Sequence, residues 1–296
     1  MIIYLFGPAG SLQPYPLNPC SMIEISTVAR LSALLATLFF STVATYAATS
    51  EWIDNQGGRM RLIALAPDPE GHIRAALQIE PEPGWITYWR EPGQGGIPPQ
   101  ITPAAGSGVM LERAGYPVPK PLRVGPIQEI GYDAPVTFPL DLRVTGKAPE
   151  KLELTAFIGL CKDICIPFQA EYSLPLPTDV QPTSHELALL DAAKAVLPQP
   201  PSPDFAVQGH KISTDAKSLS LRLTLPEASG KMPDIYVTGP SGYVFFQQAN
   251  AKREGTTFSS DIVIGKLPKD YDPKGQSWGI LVVDGDRAME TTLALE

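Results

Sequence analysis

Short stretches of alternating apolar and polar residues, separated by turns rich in proline and glycine, constrain the fold of this chain most strongly. The 296 residues include 32 Pro and 25 Gly, which argues against a helical bundle. Residues 60–65 and 72–79 alternate on either side of a turn, and 219–225 alternates in the same way. Many short segments of this kind are typical of antiparallel sandwiches. The sequence therefore predicts an all-β fold.

The strand-rich sequence is interrupted once, by a predicted helix and a stiff linker. Thr183 and Glu186 have the spacing of a capping box, and apolar residues then recur with helical spacing. Prolines at 198–203 end the helix and stiffen the connection. We therefore predict two β-sandwich domains, the first over 50–178 and the second over 204–296, joined by a helix and Pro-rich linker over 179–203.

The N-terminal part of the chain has the pattern of an export signal. Residues 31–40 are apolar, Arg30 precedes them, and small residues follow, so we expect a signal peptide over 1–47 with cleavage after Ala47 or Ala48. The apolar run is short for a bilayer-spanning helix, and an uncleaved anchor is the alternative. These features predict a product that is soluble after cleavage in an oxidising compartment, most simply a bacterial periplasm.

The first residues of the chain do not fit a signal peptide. Residues 1–21 carry no positive charge, whereas a start at Met22 places Arg30 in a short charged segment before the apolar run. We therefore expect Met22 to be the true start. Cys20 lies before that start, and the segment around it does not resemble a lipoprotein signal. The mature chain is then expected to contain two cysteines.

Composition excludes several classes of function. The formal net charge is −8 and no basic stripe is present, so binding to nucleic acid is not expected. The sequence shows no Ser/His/Asp set, phosphate-binding glycine loop or paired-carboxylate motif that would indicate a hydrolase. No cofactor is predicted.

The two remaining cysteines, Cys161 and Cys165, restrict the local geometry of the chain. A disulfide requires Cα atoms within about 7 Å, whereas four residues of extended strand span about 13 Å. If the two cysteines are bonded, residues 162–164 must therefore turn back. Such a pair lies at the end of a hairpin or in a tight turn.

Spacing alone leaves three interpretations of this pair open: a structural bond, a redox-active dithiol or a metal site. A loop this small stabilises the fold by only about 2 kcal/mol in the loop-entropy model. Lys162 would stabilise a thiolate beside it and Asp163 would oppose it. Two thiolates are too few for a closed zinc site, and no histidine has ligand spacing with them. A linear Cu(I) site formed by both thiolates is conceivable.

Five segments carry distinctive motifs that follow one another along the chain: 84–99, 116–119, 131–136, 138–140 and 161–167. Taken in this order, they resemble the N-terminal periplasmic region of DsbD-type protein-disulfide reductases. The resemblance is strongest to the ScsB branch, which is associated with copper tolerance, because the three-residue spacing of the cysteines fits that branch. The final 282–287 segment is also similar to that branch.

The resemblance implies two immunoglobulin-like sandwiches, of which the first carries the dithiol. It also implies an electron relay, in which a membrane-embedded reductase domain reduces the pair and thioredoxin-like periplasmic proteins accept the electrons. By the same resemblance, Cys165 would form the mixed disulfide with the partner and Cys161 would resolve it. Trp85, Tyr88 and Tyr132 would lie beside the dithiol, with a cap loop expected near 128–132.

The sequence departs from the full-length family, which adds a membrane domain and a thioredoxin-like domain. The electron donor is therefore expected to be a separate protein, or else the relay role has been lost. The assignment as a protein-disulfide reductase stays open. Two alternatives are a two-domain binding or adaptor protein with a structural disulfide and a Cu(I)-binding copper-tolerance protein.

Overall fold

A computed structural model describes residues 49–93, 95–124, 127–176, 182–227, 230–240 and 242–296. All of them belong to one compact unit that spans 46–296. The predicted signal peptide and the alternative start at Met22 lie outside the described residues. Within the described ranges, no helix has both the length and the apolar character needed to cross a membrane.

The first part of the chain forms two antiparallel sheets packed face to face. One sheet has the order β1-β2-β3-β9-β6, and the other has the order β11-β10-β4-β8-β7 with β5 also paired to β10. The all-β prediction is confirmed. The strands are β1 Ile53–Asn55, β2 Gly58–Ala64, β3 His72–Pro81, β4 Ile86–Gly93, β5 Gln100–Pro103, β6 Val109–Ala114, β7 Lys120–Val124, β8 Ile127–Tyr132, β9 Val136–Val144, β10 Lys151–Cys161 and β11 Cys165–Pro175.

Alternation along the strands explains this packing. In β10 the side chains of Leu152, Leu154 and Ile158 are buried at every second position, as the period of a strand requires. They face Leu77 and Phe138 of the opposite sheet in one continuous apolar core. This packing fixes the register of β10, because a shift by one residue would turn its apolar side chains outward.

The single helix among the described residues, α1 (Ser184–Ala195), begins as the capping box predicts. The Thr183 hydroxyl accepts a hydrogen bond from the Glu186 backbone N–H at 3.2 Å, and the Glu186 carboxylate accepts one from the Thr183 backbone N–H at 2.8 Å. Leu190 of this helix packs on Ile63 and Ala76, on the outer face of the first sheet. The connection is therefore docked on the first sandwich.

The last part of the chain forms a second pair of antiparallel sheets around its own core. Their orders are β12-β13-β17-β16 and β15-β14-β18-β19. Leu221, Phe258 and Trp278 are among the residues buried between them. The strands are β12 Ala206–Ile212, β13 Ser218–Thr224, β14 Asp234–Thr238, β15 Val244–Phe245, β16 Gln248–Glu254, β17 Thr257–Val263, β18 Ser277–Asp284 and β19 Arg287–Ala294.

The two sandwiches share a buried contact that begins on β4. Trp89 of the first core meets Tyr236 of β14 edge to face, with ring centroids 6.3 Å apart. The neighbouring Glu91 carboxylate accepts a hydrogen bond from the Gly242 backbone N–H at 2.8 Å, and burial raises the pKa of Glu91. The domain boundaries at 178 and 204 stay a prediction, because this contact joins both sandwiches into one unit.

Candidate functional site

The two cysteines form a disulfide at the end of the β10–β11 hairpin. Cys161 ends β10, Cys165 begins β11, and the two are direct cross-strand partners with Cα atoms 4.2 Å apart. The Lys162 backbone N–H donates to the Ile164 carbonyl at 3.2 Å and closes the turn between them. The chain thus turns back at the position that the spacing of the cysteines requires.

The two cysteines differ sharply in their exposure. Cys161 is 0% exposed, because its strand lies between β11 and β4 and its side chain packs with Ile86 and Tyr88. Cys165 begins the edge strand of the sheet and is exposed. A reactant in solution can therefore approach the sulfur of Cys165 and not that of Cys161.

Tyr88 supplies the polar group beside the accessible sulfur. Its hydroxyl lies 3.3 Å from the Cys165 Sγ, and since a disulfide sulfur carries no hydrogen, the hydroxyl is the donor. Burial, with a smaller effect from the charge of Glu129, raises the pKa of Tyr88 well above its usual range. The phenol therefore keeps its proton and can donate it in a hydrogen bond across the whole physiological pH range.

Two glycines leave room for the ring of Tyr88. A Cβ at Gly159 would lie 2.9 Å from one edge of the ring and 2.7 Å from the Cβ of Ile97. A Cβ at Gly96 would lie 2.7 Å from the other edge. The ring thus fits between two backbone segments, and any side chain at these positions would displace it.

Gly159→Ala is expected to destabilise the protein by about 1–3 kcal/mol, because the added methyl group overpacks a tightly filled site. The same displacement moves the Tyr88 hydroxyl and should change the rate at which the disulfide is reduced. Urea unfolding and a reduction assay measure the two effects. Gly146→Ala is the matched control, since a Cβ there meets no atom within 4 Å. Equal behaviour of the two variants would contradict the expectation.

The structure does not bring all predicted neighbours to the disulfide. Tyr132 faces the sandwich core, where its hydroxyl donates to the Pro117 carbonyl at 2.8 Å and its ring packs on Phe138. Trp85 is half-buried, lies against the same core and covers Gly57. The expected cap loop at 128–132 is instead part of strand β8, hydrogen-bonded to both β4 and β7.

Lys162 and Asp163, two of the three residues between the cysteines, are exposed on the turn. The side chain of Lys162 extends over Gly84, whose added Cβ would lie 3.5 Å from the lysine Nζ. Asp163 is exposed to solvent. Both residues border the disulfide as the sequence predicts, and the lysine amine is directed toward the β3–β4 turn.

Sequence reasoning missed part of the site. Ile97 and Leu122 pack against the cluster of Ile86, Tyr88 and Cys161, and Glu129 is buried on the same sheet near Gly93. One signal was present, because a glycine inside a strand, such as Gly159, often marks a close approach of another group. Ile97, Leu122 and Glu129 carry no comparable signal in the sequence.

In the part of the chain that the structure describes, a group away from the disulfide also has possible metal-ligand atoms close together. Asp68, Glu70 and His72 lie in and beside the β2–β3 turn, with these atoms within 4.8 Å of one another. Both carboxylates are exposed, and His72 is held by Asp68 at 3.1 Å. This group includes neither cysteine, and its contacts are those of a hydrogen-bonded turn.

The fold and the hairpin define a class: a two-sandwich β protein with a disulfide that is buried on one side and open on the other. Residues 61–177 match the family described as "Thiol:disulfide interchange protein DsbD, N-terminal". The resemblance to the DsbD-type region is thus confirmed over the segment that contains both cysteines.

A solved structure extends the likeness to most of the chain. The crystal structure of the N-terminal periplasmic domain of ScsB from Proteus mirabilis superposes with a TM-score of 0.70 at 23% sequence identity. The match covers 84% of this chain and 99% of that chain. At this identity the likeness establishes a shared fold. Comparison with curated protein sequences gives no match.

Proposed function

We propose that this chain is a periplasmic thiol–disulfide interchange module that relays electrons through Cys161 and Cys165. The electron donor would be a membrane-embedded disulfide reductase, and the acceptors would be thioredoxin-like periplasmic proteins. The observation that carries the proposal is the unequal exposure of the two cysteines at a hairpin end. The family match over 61–177 supports the same chemistry.

The exchange follows from which sulfur a partner can reach. A thiolate of the donor attacks the Cys165 Sγ, a mixed disulfide forms, and the Cys161 thiolate leaves. The second thiolate of the donor then attacks the donor sulfur of the mixed disulfide. The donor becomes a disulfide, and Cys165 is released as a thiolate. Two electrons have moved to this chain. The reverse sequence, begun by the Cys165 thiolate on an acceptor disulfide, passes them on.

Tyr88 is suited to assist both directions. Negative charge spreads over the sulfurs in the transition state of exchange, and a hydrogen bond from a neutral hydroxyl to a charged acceptor is stronger than one to a neutral acceptor. The Tyr88 hydroxyl already lies 3.3 Å from the sulfur that takes part in both attacks. The buried cluster around Cys161 excludes reagents from the other sulfur.

A redox titration tests the proposal. The protein is equilibrated with glutathione buffers, the free thiols are alkylated, and the oxidised fraction is measured. We expect a potential above about −300 mV, because structural bonds generally lie below this value, together with electron transfer to a thioredoxin-like protein. The Cys161→Ala/Cys165→Ala variant is the control. A potential below about −300 mV without transfer would instead indicate a structural disulfide in an adaptor protein.

A further inference from the structure

Glu129 is a buried carboxyl group that the exchange chemistry leaves unexplained. It lies on β8, is 2% exposed, and its Oε2 has no hydrogen-bond partner. Burying a carboxyl without full hydrogen bonding is unfavourable, so such a group in a folded protein calls for a reason.

The register of the sheet puts this carboxyl on the face that carries the disulfide. Gly131 is the cross-strand partner of Tyr88, and Glu129, two residues earlier, points to the same side of the sheet. Ile86, two residues before Tyr88, is the partner of Cys161. Glu129 and the disulfide therefore share one outer face, on either side of the tyrosine.

A chain of contacts leads from the carboxyl to the reactive sulfur. The carboxyl lies against the segment that begins at Gly93, where an added Cβ would lie 3.0 Å from its Oε2, and the nearby backbone N–H groups of Gly95 and Gly96 act to lower its pKa. Gly96 lies directly against the ring of Tyr88, and the hydroxyl of that ring lies 3.3 Å from the Cys165 Sγ. We propose that Glu129 is a positioning residue, which holds the Gly95–Gly96 backbone against Tyr88 and thereby fixes the hydroxyl at the sulfur.

The proposal makes exchange dependent on pH. Burial raises the pKa of Glu129 more than the two glycine N–H groups lower it. Above this raised pKa the negative carboxylate attracts the two backbone N–H groups strongly, and as the pH falls through the pKa the protonated, neutral group attracts them less. The Tyr88 hydroxyl is then less firmly held, so exchange should slow toward acidic pH.

Other charged groups on the flanking strands do not provide the same effect. Tyr88 interacts electrostatically with Glu129 and stays neutral. Arg123 of β7 is exposed. The remaining charged side chains of β4 and β7 have partners elsewhere: Lys120 with Asp133, Arg90 with Glu290, and Glu91 with the backbone of Gly242.

Reduction of the oxidised protein by a water-soluble phosphine, between about pH 4 and pH 8, tests this inference. The ratio of the Glu129→Gln rate to the wild-type rate cancels the pH dependence of the reagent. Glutamine imitates the protonated carboxyl. We therefore expect the Glu129→Gln protein to be reduced about 5- to 10-fold more slowly than the wild type at pH 8. At low pH the two rates should become equal. Glu171→Gln, an exposed position on β11 of the same sheet, should stay at one throughout.

Two results would overturn the inference. One is that Glu129→Gln and wild type are reduced at equal rates at every pH. The other is that Glu129→Gln stays slower than wild type even at low pH. If Glu129→Gln does not fold, the wild type is compared with Tyr88→Phe, which lacks the hydroxyl. Their rates should then differ at pH 8 and converge at low pH, and a constant ratio would contradict the inference. The inference rests on the proposed function, but this assay needs no partner protein, so its failure is distinct from a failed relay.

Discussion

Cys161→Ser is expected to form a mixed disulfide readily through Cys165, whereas Cys165→Ser should form almost none through Cys161. The reason is access, because Cys165 is exposed and Cys161 is 0% exposed beneath Tyr88 and Ile86. Once formed, the mixed disulfide of Cys161→Ser persists, since the thiol that would resolve it has been removed. We expect the rates of mixed-disulfide formation to differ by on the order of 100-fold.

The rates can be measured with glutathione disulfide and mass spectrometry, then with a thioredoxin-like partner that lacks its own resolving cysteine. Cys161→Ala serves as a second variant, because serine places a hydroxyl in an apolar cluster and could lower stability. The double variant without cysteines gives the background. Equal rates for the two single variants would show that burial does not select the attacking sulfur.

Asp284→Ala is expected to destabilise the second sandwich by about 3–5 kcal/mol. Asp284 lies at the end of β18 with its side chain 0% exposed, and both its carboxylate oxygens accept hydrogen bonds from Arg253, at 2.7 and 3.2 Å. The guanidinium also donates to the carbonyls of Pro226 and Lys231. Removing the carboxylate takes away the counter-charge that contacts the buried guanidinium at 2.7 Å.

Urea unfolding followed by far-UV circular dichroism measures this loss. Asp286→Ala is the matched control, because Asp286 lies two residues later in the same turn and is exposed; its effect should stay within about 0.5 kcal/mol. A similar, small change in both variants would mean that the buried pair contributes little net stability. The activity of the disulfide should be unaffected in folded Asp284→Ala protein.

Local patterns were sufficient for much of the architecture. The period-two alternation in β10 and β13 predicts strands with one buried face, and the structure has both. The capping residues Thr183 and Glu186 predict the start of α1 because the two hydrogen bonds of the capping box join groups within one helical turn. In each case the residues that decide the outcome lie within a few positions of one another.

The neighbours of the disulfide could not be predicted in the same way. Tyr88 and Tyr132 both belong to motifs of the family resemblance, yet only Tyr88 reaches Cys165. Tyr132 is paired with Thr87, and Tyr88 is paired with Gly131, so the two tyrosines point to opposite faces of one sheet. A shift of the register by one residue would exchange the faces to which the two tyrosines point. This register depends on the pairing of β4 with β8, which are about forty residues apart, so local sequence patterns do not determine it.

The sequence by itself determined that the chain is all-β and that a disulfide between Cys161 and Cys165 requires a turn at 162–164, because alternation and a three-residue spacing act locally. The tertiary structure decided which sulfur is open. The spacing of Cys161 and Cys165 does not distinguish one from the other. They differ in exposure because the strand of Cys161, β10, is paired with β4 on its other side, whereas the strand of Cys165, β11, forms the edge of the sheet. It also decided that Glu129 is buried beside Tyr88, since only the packing of β4, β8 and the Gly95–Gly96 backbone brings these groups together.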